Sequence, residues 1–116
     1  MHPEFHISHH DESNWTVVEI GGDVDVANVP HIREYVAHRI MAEGRHRLII
    51  DLTRVRFIDS TGLGTLVAIR KWIQARAGDL RLVLTNPDVL RIFRITSLRR
   101  VFPIHESVET ALSDMT

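Results

Sequence analysis

The residues best placed to do chemistry lie in one octet, Phe57-Ile58-Asp59-Ser60-Thr61-Gly62-Leu63-Gly64. Ser60 and Thr61 offer adjacent hydroxyls, and Asp59 sets a carboxylate directly before them. All three are residue types favoured at helix N-caps, so a helix is predicted to begin here. Gly62 and Gly64 then fall in its first turn, where each costs roughly 1 kcal/mol relative to alanine. Two departures from local preference within three residues mark a site of function or of close contact. Either another surface approaches the bare backbone and reaches the hydroxyls, or the glycines merely allow tight packing. Spacing fits both.

Other constellations are weaker. Asp25, Asp59 and a histidine such as His31 could be drawn as an acid–base enzyme, but nothing in the sequence forces a perturbed pKa on them. Ser60 lacks the Gly-x-Ser-x-Gly elbow of hydrolases, and the Gly-x-Gly pair lacks the Gly-Lys-Ser/Thr ending of a phosphate-binding loop. Four of the eight histidines, His2, His6, His9 and His10, open the chain. Neutral imidazoles bind zinc or nickel, yet a strand would send His9 and His10 to opposite faces. No acidic or cysteine partner has ligand spacing, so residues 1–10 read as a solvated strand or tail with no metal. Four arginines between Arg91 and Arg100 lack interleaved aromatics. They read as a solvated face or a protein-contact rim, not as a nucleic-acid interface.

These residues must be positioned by the rest of one domain, residues 1–116, long enough to bury about two thirds of its unfolded surface. A hydrophobic content of 44% and a charged content of 25% are ordinary for a soluble protein. A formal charge of −1 gives no global attraction to nucleic acid or anionic membrane. The absence of cysteine excludes disulfides and thiolate chemistry. The start is polar, and no apolar run approaches the ~18 residues of a membrane span, so a cytoplasmic protein is expected.

In chain order, Phe5 to His10 and Trp15 to Ile20 suggest two strands around the turn Asp11-Glu12-Ser13-Asn14, and Gly21-Gly22 breaks the second. Asn28 and Pro30 predict a helix start, with Ile32, Val36 and Ile40 as its buried stripe and Gly44 as its end. Leu48 to Leu52 is a short buried strand, followed by a loop into the octet. The octet's helix runs to about Ala77, burying Leu66, Ile69 and Ile73, with Gly78 as its cap and Trp72 at the core edge or an interface. A strand from Leu80 to Thr85 precedes a helix from Pro87 to about Thr96, capped by Asn86. A strand Val101–Ile104 and a last helix capped by Ser107 complete the order β-β-α-β-α-β-α-β-α. That alternation predicts an α/β fold with a mainly parallel sheet.

The octet resembles the signature of the STAS domain, in the branch of bacterial anti-sigma factor antagonists. In that family an Asp-Ser-Ser/Thr-Gly-Leu-Gly segment opens the second helix, and the serine after the aspartate is phosphorylated by a partner kinase. By position that serine is Ser60. A Gly-Glu-Leu-Asp-like segment corresponds to Gly22-Asp23-Val24-Asp25, whose last aspartate contributes to kinase recognition. Asp23 stands where glutamate is usual, and Thr61 replaces a second serine, keeping a hydroxyl as a possible second acceptor. The resemblance covers Trp15 to Leu112 and implies a central mixed, mainly parallel sheet flanked by about four helices.

The resemblance also implies a function. The unmodified protein would bind an anti-sigma factor that is also a serine kinase, and so release a sigma factor for transcription. Asp25, Asp59, Thr61, Gly62, Leu63 and Gly64 would form the partner-binding face. The kinase would phosphorylate Ser60 with ATP held in its own site, and a serine phosphatase would reverse the step. The chain itself would need no cofactor and would catalyse nothing. It would bind no nucleic acid directly and insert into no membrane. The rival reading within the same fold is a phosphorylation-independent scaffold subunit of a stress-signalling or lipid-transport ATPase complex.

Overall fold

The computed structural model describes residues 4–114. Five strands form one mixed sheet in the order β1-β2-β3-β4-β5, with β1 (His6–Glu12) antiparallel to β2 (Trp15–Val24) and the remaining pairs parallel. The others are β3 (Arg47–Ile58), β4 (Asp79–Val83) and a two-residue β5 (Ile104–His105). Four helices, α1 (Val29–Glu34), α2 (Ser60–Ala75), α3 (Pro87–Ile95) and α4 (Val108–Ser113), alternate with the parallel strands. The expected α/β order holds throughout.

Alternation along the strands divides the core. Val18, Ile20, Leu48, Ile50 and Leu82 face one large cluster with Ile32, Val36, Leu66, Ile69 and Phe93 from the helices. Trp15, Val17, Ile49, Val83 and Ala111 form a smaller cluster beneath α4 on the other side. Arg81 is buried there. Its guanidinium donates a hydrogen bond to the Ala111 carbonyl and lies 4.4 Å from the centre of the Trp15 ring, holding the last helix to the sheet.

Several local expectations change for long-range reasons. Gly21-Gly22 does not end β2, which continues to Val24 with register shifts on either side of the pair. Gly21 lies beneath the His6 ring, and Gly22 has φ 91° against the Phe5 backbone, so the glycines let the N-terminal segment cross closely. β3 likewise runs on to Ile58 instead of becoming a loop after Leu52. Its buried residues Leu52, Val55 and Ile58 are spaced by three because of the bulges, which hides the period of two.

The first helix is not uniformly α. After Glu34 it widens into a π turn, Tyr35–Ile40, and ends in a 3₁₀ turn, Met41–Glu43, before Gly44. Ile32, Val36 and Ile40 are nevertheless all fully buried. A strict four-residue repeat overruns a 3.6-residue turn, and the wider turn keeps the stripe on the sheet. Asn28 makes no side-chain cap; its amide donates to the Asp23 carbonyl instead. At the end of α2, Ala77 and not Gly78 is left-handed, with φ 54°. The last strand begins at Ile104, because residues 98–102 are taken up by a 3₁₀ turn, Leu98–Arg100, and the bend after it. Asn86 and Ser107 do cap α3 and α4, accepting from the N–H groups of Asp88 and Thr110.

Candidate functional site

Val24 and Ile58 are paired at the carboxyl ends of β2 and β3, so the loops leaving them emerge side by side. One loop carries Asp25 and Val26; the other is the turn into α2. Asp59 joins them. Its backbone N–H donates to the Val24 carbonyl at 3.2 Å. One carboxylate oxygen accepts from the Gly62 N–H at 2.8 Å and so caps α2; the other accepts from the Val26 N–H at 3.1 Å. Both oxygens are therefore committed to backbone donors, a stabilising use of a carboxylate at a helix N-terminus.

The predicted site residues separate into two sets. Ser60, Thr61 and Gly64 are exposed, Asp25 is part-buried, and Ser60 begins the helix. Among the described residues nothing accepts or donates to the Ser60 hydroxyl, and the N–H groups of Ser60 and Thr61 have no partner. Gly62 is buried: a Cβ there would collide with the Val24 carbonyl oxygen and crowd the Ile58 side chain. It is not an open approach for another surface. Gly64 is, with nothing within 4 Å of the same construction. Tight packing accounts for Gly62, and Gly64 is left with open space. Leu63 is part-buried against the main core.

Asp25 is partly used at home. Its carboxylate accepts from the Asn28 N–H at 3.1 Å, and its carbonyl accepts from the N–H groups of Asn28 and Val29, starting α1. Asp23 lies 4.0 Å from the Arg56 guanidinium. His31 packs against the Phe5 and Tyr35 rings at 5.4 and 6.5 Å. An acid–base arrangement gains no support from this geometry, because both Asp59 oxygens already accept from backbone N–H groups and His31 packs against aromatic rings.

Two residues of the site escape the sequence reading. Val26 is 67% exposed and Phe57 50%, two of the three large apolar side chains left in solvent among the described residues. Val26 stands on the loop leaving β2, and Phe57 is the penultimate residue of β3, three positions before Ser60. The available signal was an apolar residue close to each acidic motif, Val26 directly after Asp25 and Phe57 two positions before Asp59, but periodicity alone assigned neither to a face. Trp72, by contrast, is part-buried against the core, with the Arg33 guanidinium 5.3 Å from its ring.

The N-terminal histidines do not converge. His9 lies 2.7 Å from the Tyr35 hydroxyl, His10 is 3.2 Å from Glu12, and the His6 ring covers Gly21. His2 falls outside the described residues. Among the described residues, no helix is long and apolar enough to cross a membrane.

A mixed five-stranded α/β sheet with an exposed serine at the first residue of its second helix defines the class of fold. The chain belongs to the STAS domain family, whose model matches residues 6–111. Among curated proteins it is 32% identical to an anti-sigma-B factor antagonist of Staphylococcus epidermidis over 92 residues, covering 79% of this chain and 84% of that one. Among solved structures it matches an anti-sigma factor antagonist from Mycobacterium paratuberculosis with a TM-score of 0.85 at 24% identity, covering 95% and 92% of the two chains. SpoIIAA in its unphosphorylated form matches with a TM-score of 0.77 at 22% identity over 92% and 93%. Its phosphorylated form, a Bacillus protein, matches at 0.70 and 22% over 94% and 96%.

Proposed function

We propose that this chain is an anti-sigma factor antagonist that docks its partner through the face around Ser60 and releases it when Ser60 is phosphorylated. The observation that carries the reading is the exposed, unpartnered Ser60 hydroxyl at the first residue of α2, on a chain whose curated relatives bear that name. A serine kinase carried by the anti-sigma factor supplies ATP and the catalytic base. The Ser60 oxygen bonds to the γ-phosphorus, ADP leaves, and the hydroxyl proton passes to the kinase. A phosphatase restores the hydroxyl. The chain contributes an acceptor and a docking face, and its role is regulatory.

Two opposing effects set the outcome. The phosphate adds roughly −1.5 to −2 charges. At the start of α2 it meets the open N–H groups of Ser60 and Thr61 and the positive end of the helix, worth ~0.3–1 kcal/mol at an exposed position. That the fold is shared with both forms of SpoIIAA is consistent with a domain that tolerates the modification. At the interface, any partner carboxylate seated within about 6 Å of the phosphate would be repelled by roughly 2–3 kcal/mol per added charge at an effective dielectric of 20. Since ~1.4 kcal/mol is tenfold in affinity, the partner leaves while the domain stays folded. Thr61, exposed beside Ser60, is the second candidate acceptor.

The test is to purify the protein from its own cells and map phosphate within residues 57–70. Phosphate on Ser60 that varies with growth condition supports the switch. Its absence under every condition, alongside a stable partner complex, would replace the switch with a phosphorylation-independent scaffold.

A further inference from the structure

Away from Ser60, α3 and the 3₁₀ turn after it carry a surface that the proposed switch does not use. Arg91, Arg94, Arg99 and Arg100 are all exposed. They are four of the chain's fourteen basic residues, set within ten positions that hold no acidic residue, and the remainder of the chain carries a formal −5. Among the described residues no ion pair or hydrogen bond engages any of the four side chains. Arg91, Arg94 and Ile95 stand at i, i+3 and i+4, so they share one helix face. Ile95 is 70% exposed, the most exposed large apolar side chain among the described residues.

Solvation alone accounts for exposed arginines but not for an isoleucine set among them. Val89 and Phe93 already supply the buried face of α3, and Ile95 adds nothing to the core. We propose that this surface docks a second protein through an acidic segment, whose carboxylates pair with the arginines around an apolar pocket that receives Ile95. Arginine suits such a contact because its planar guanidinium meets carboxylates in pairs and is weakly hydrated. Complementary charge speeds encounter, and the single apolar anchor supplies most of the resistance to dissociation. A nucleic-acid ligand is disfavoured because the exposed Ile95 among the arginines has no counterpart on a phosphate backbone, and among the described residues of this surface no aromatic side chain is exposed for a base to stack on. The surface needs neither Ser60 nor its modification.

The test places p-benzoylphenylalanine at position 95 of the full chain in its own cells, with the same probe at exposed Thr110 as control. Irradiation is followed by sequencing of the cross-linked peptide. The expected adduct is one protein, joined within a segment rich in Asp and Glu, present at 95 and absent at 110. Arg91→Glu with Arg94→Glu should reduce it at least tenfold while circular dichroism and melting temperature stay unchanged. Ser60→Asp should leave it intact. Adducts to nucleic acid or lipid would overturn the proposal. So would a protein adduct insensitive to charge reversal, or no adduct above the control. An adduct lost with Ser60→Asp would also overturn it, by assigning the surface to the Ser60 partner.

Discussion

The Val26 N–H and the Asp59 carboxylate, 33 positions apart in the chain, meet at 3.1 Å. Through this bond the residue that caps α2 also fixes the loop leaving β2, so Ser60 and the exposed Val26 are held in one rigid frame. A docking surface ordered before it meets its partner loses less conformational entropy on binding. Asp59 thus serves the proposed switch by positioning the loop and the helix start, each of its oxygens accepting one backbone N–H.

Asp59→Ala should remove the cap and the bridge together. The expected loss is about 1–2 kcal/mol in urea unfolding, the scale of a lost N-cap. Asp59→Asn, which keeps an acceptor, should lose less. Equal loss in both variants would mean that the charge, not the geometry, does the stabilising.

The glycine pair should behave oppositely. Gly62→Ala forces a methyl into the Val24 carbonyl and should destabilise by about 1–3 kcal/mol, the range for overpacking. Gly64→Ala has open space and a helical position, and should be neutral or stabilising by up to about 1 kcal/mol. Gly64→Arg should then block the partner sterically with melting temperature unchanged. Thermal melts and a binding titration separate the three cases.

The exposed apolar pair is expected to carry affinity. Val26→Ser and Phe57→Ser should each weaken binding of the anti-sigma partner by about tenfold, as loss of an anchor does, with the fold retained. Unchanged affinity in both would place the interface elsewhere on the molecule.

Ser60→Asp should weaken the same complex without altering circular dichroism or melting temperature. An acidic residue at the first helical position is favoured by the helix dipole. A variant that fails to fold would remove the structural basis of the switch.

At the far end of the sheet, Asp11 accepts three hydrogen bonds from Arg45, two of them from Nε, and one from Thr16. The Arg45 guanidinium, with the Thr16 hydroxyl, holds the Asp11 carboxyl at a pKa of about 2. A depressed carboxyl pKa stabilises the folded state above the unfolded value, about 4, and that benefit is lost as pH falls toward 2. The melting temperature of the parent should exceed that of Asp11→Asn at pH 5, and the gap should close between pH 4 and 2. A gap independent of pH would assign the difference to packing.

The sequence by itself determined the order of the elements, because buried stripes such as Leu66, Ile69 and Ile73 and caps such as Asn86 and Ser107 are written within a few residues of where they act. It also located the octet, since Asp59-Ser60-Thr61 signals a helix start locally. Only the tertiary structure decided which glycine is packed and which is open, because that depends on Val24, 38 positions before Gly62. It alone carried β2 through Gly21-Gly22 and β3 on to Ile58: the two strands supply each other's hydrogen bonds there, and bulges erase the alternation that a single strand would show. It alone left Val26, Phe57 and Ile95 in solvent. Apolar side chains are read as core until the neighbours that would cover them are in place, and the described residues cover no more than about half of any of these three.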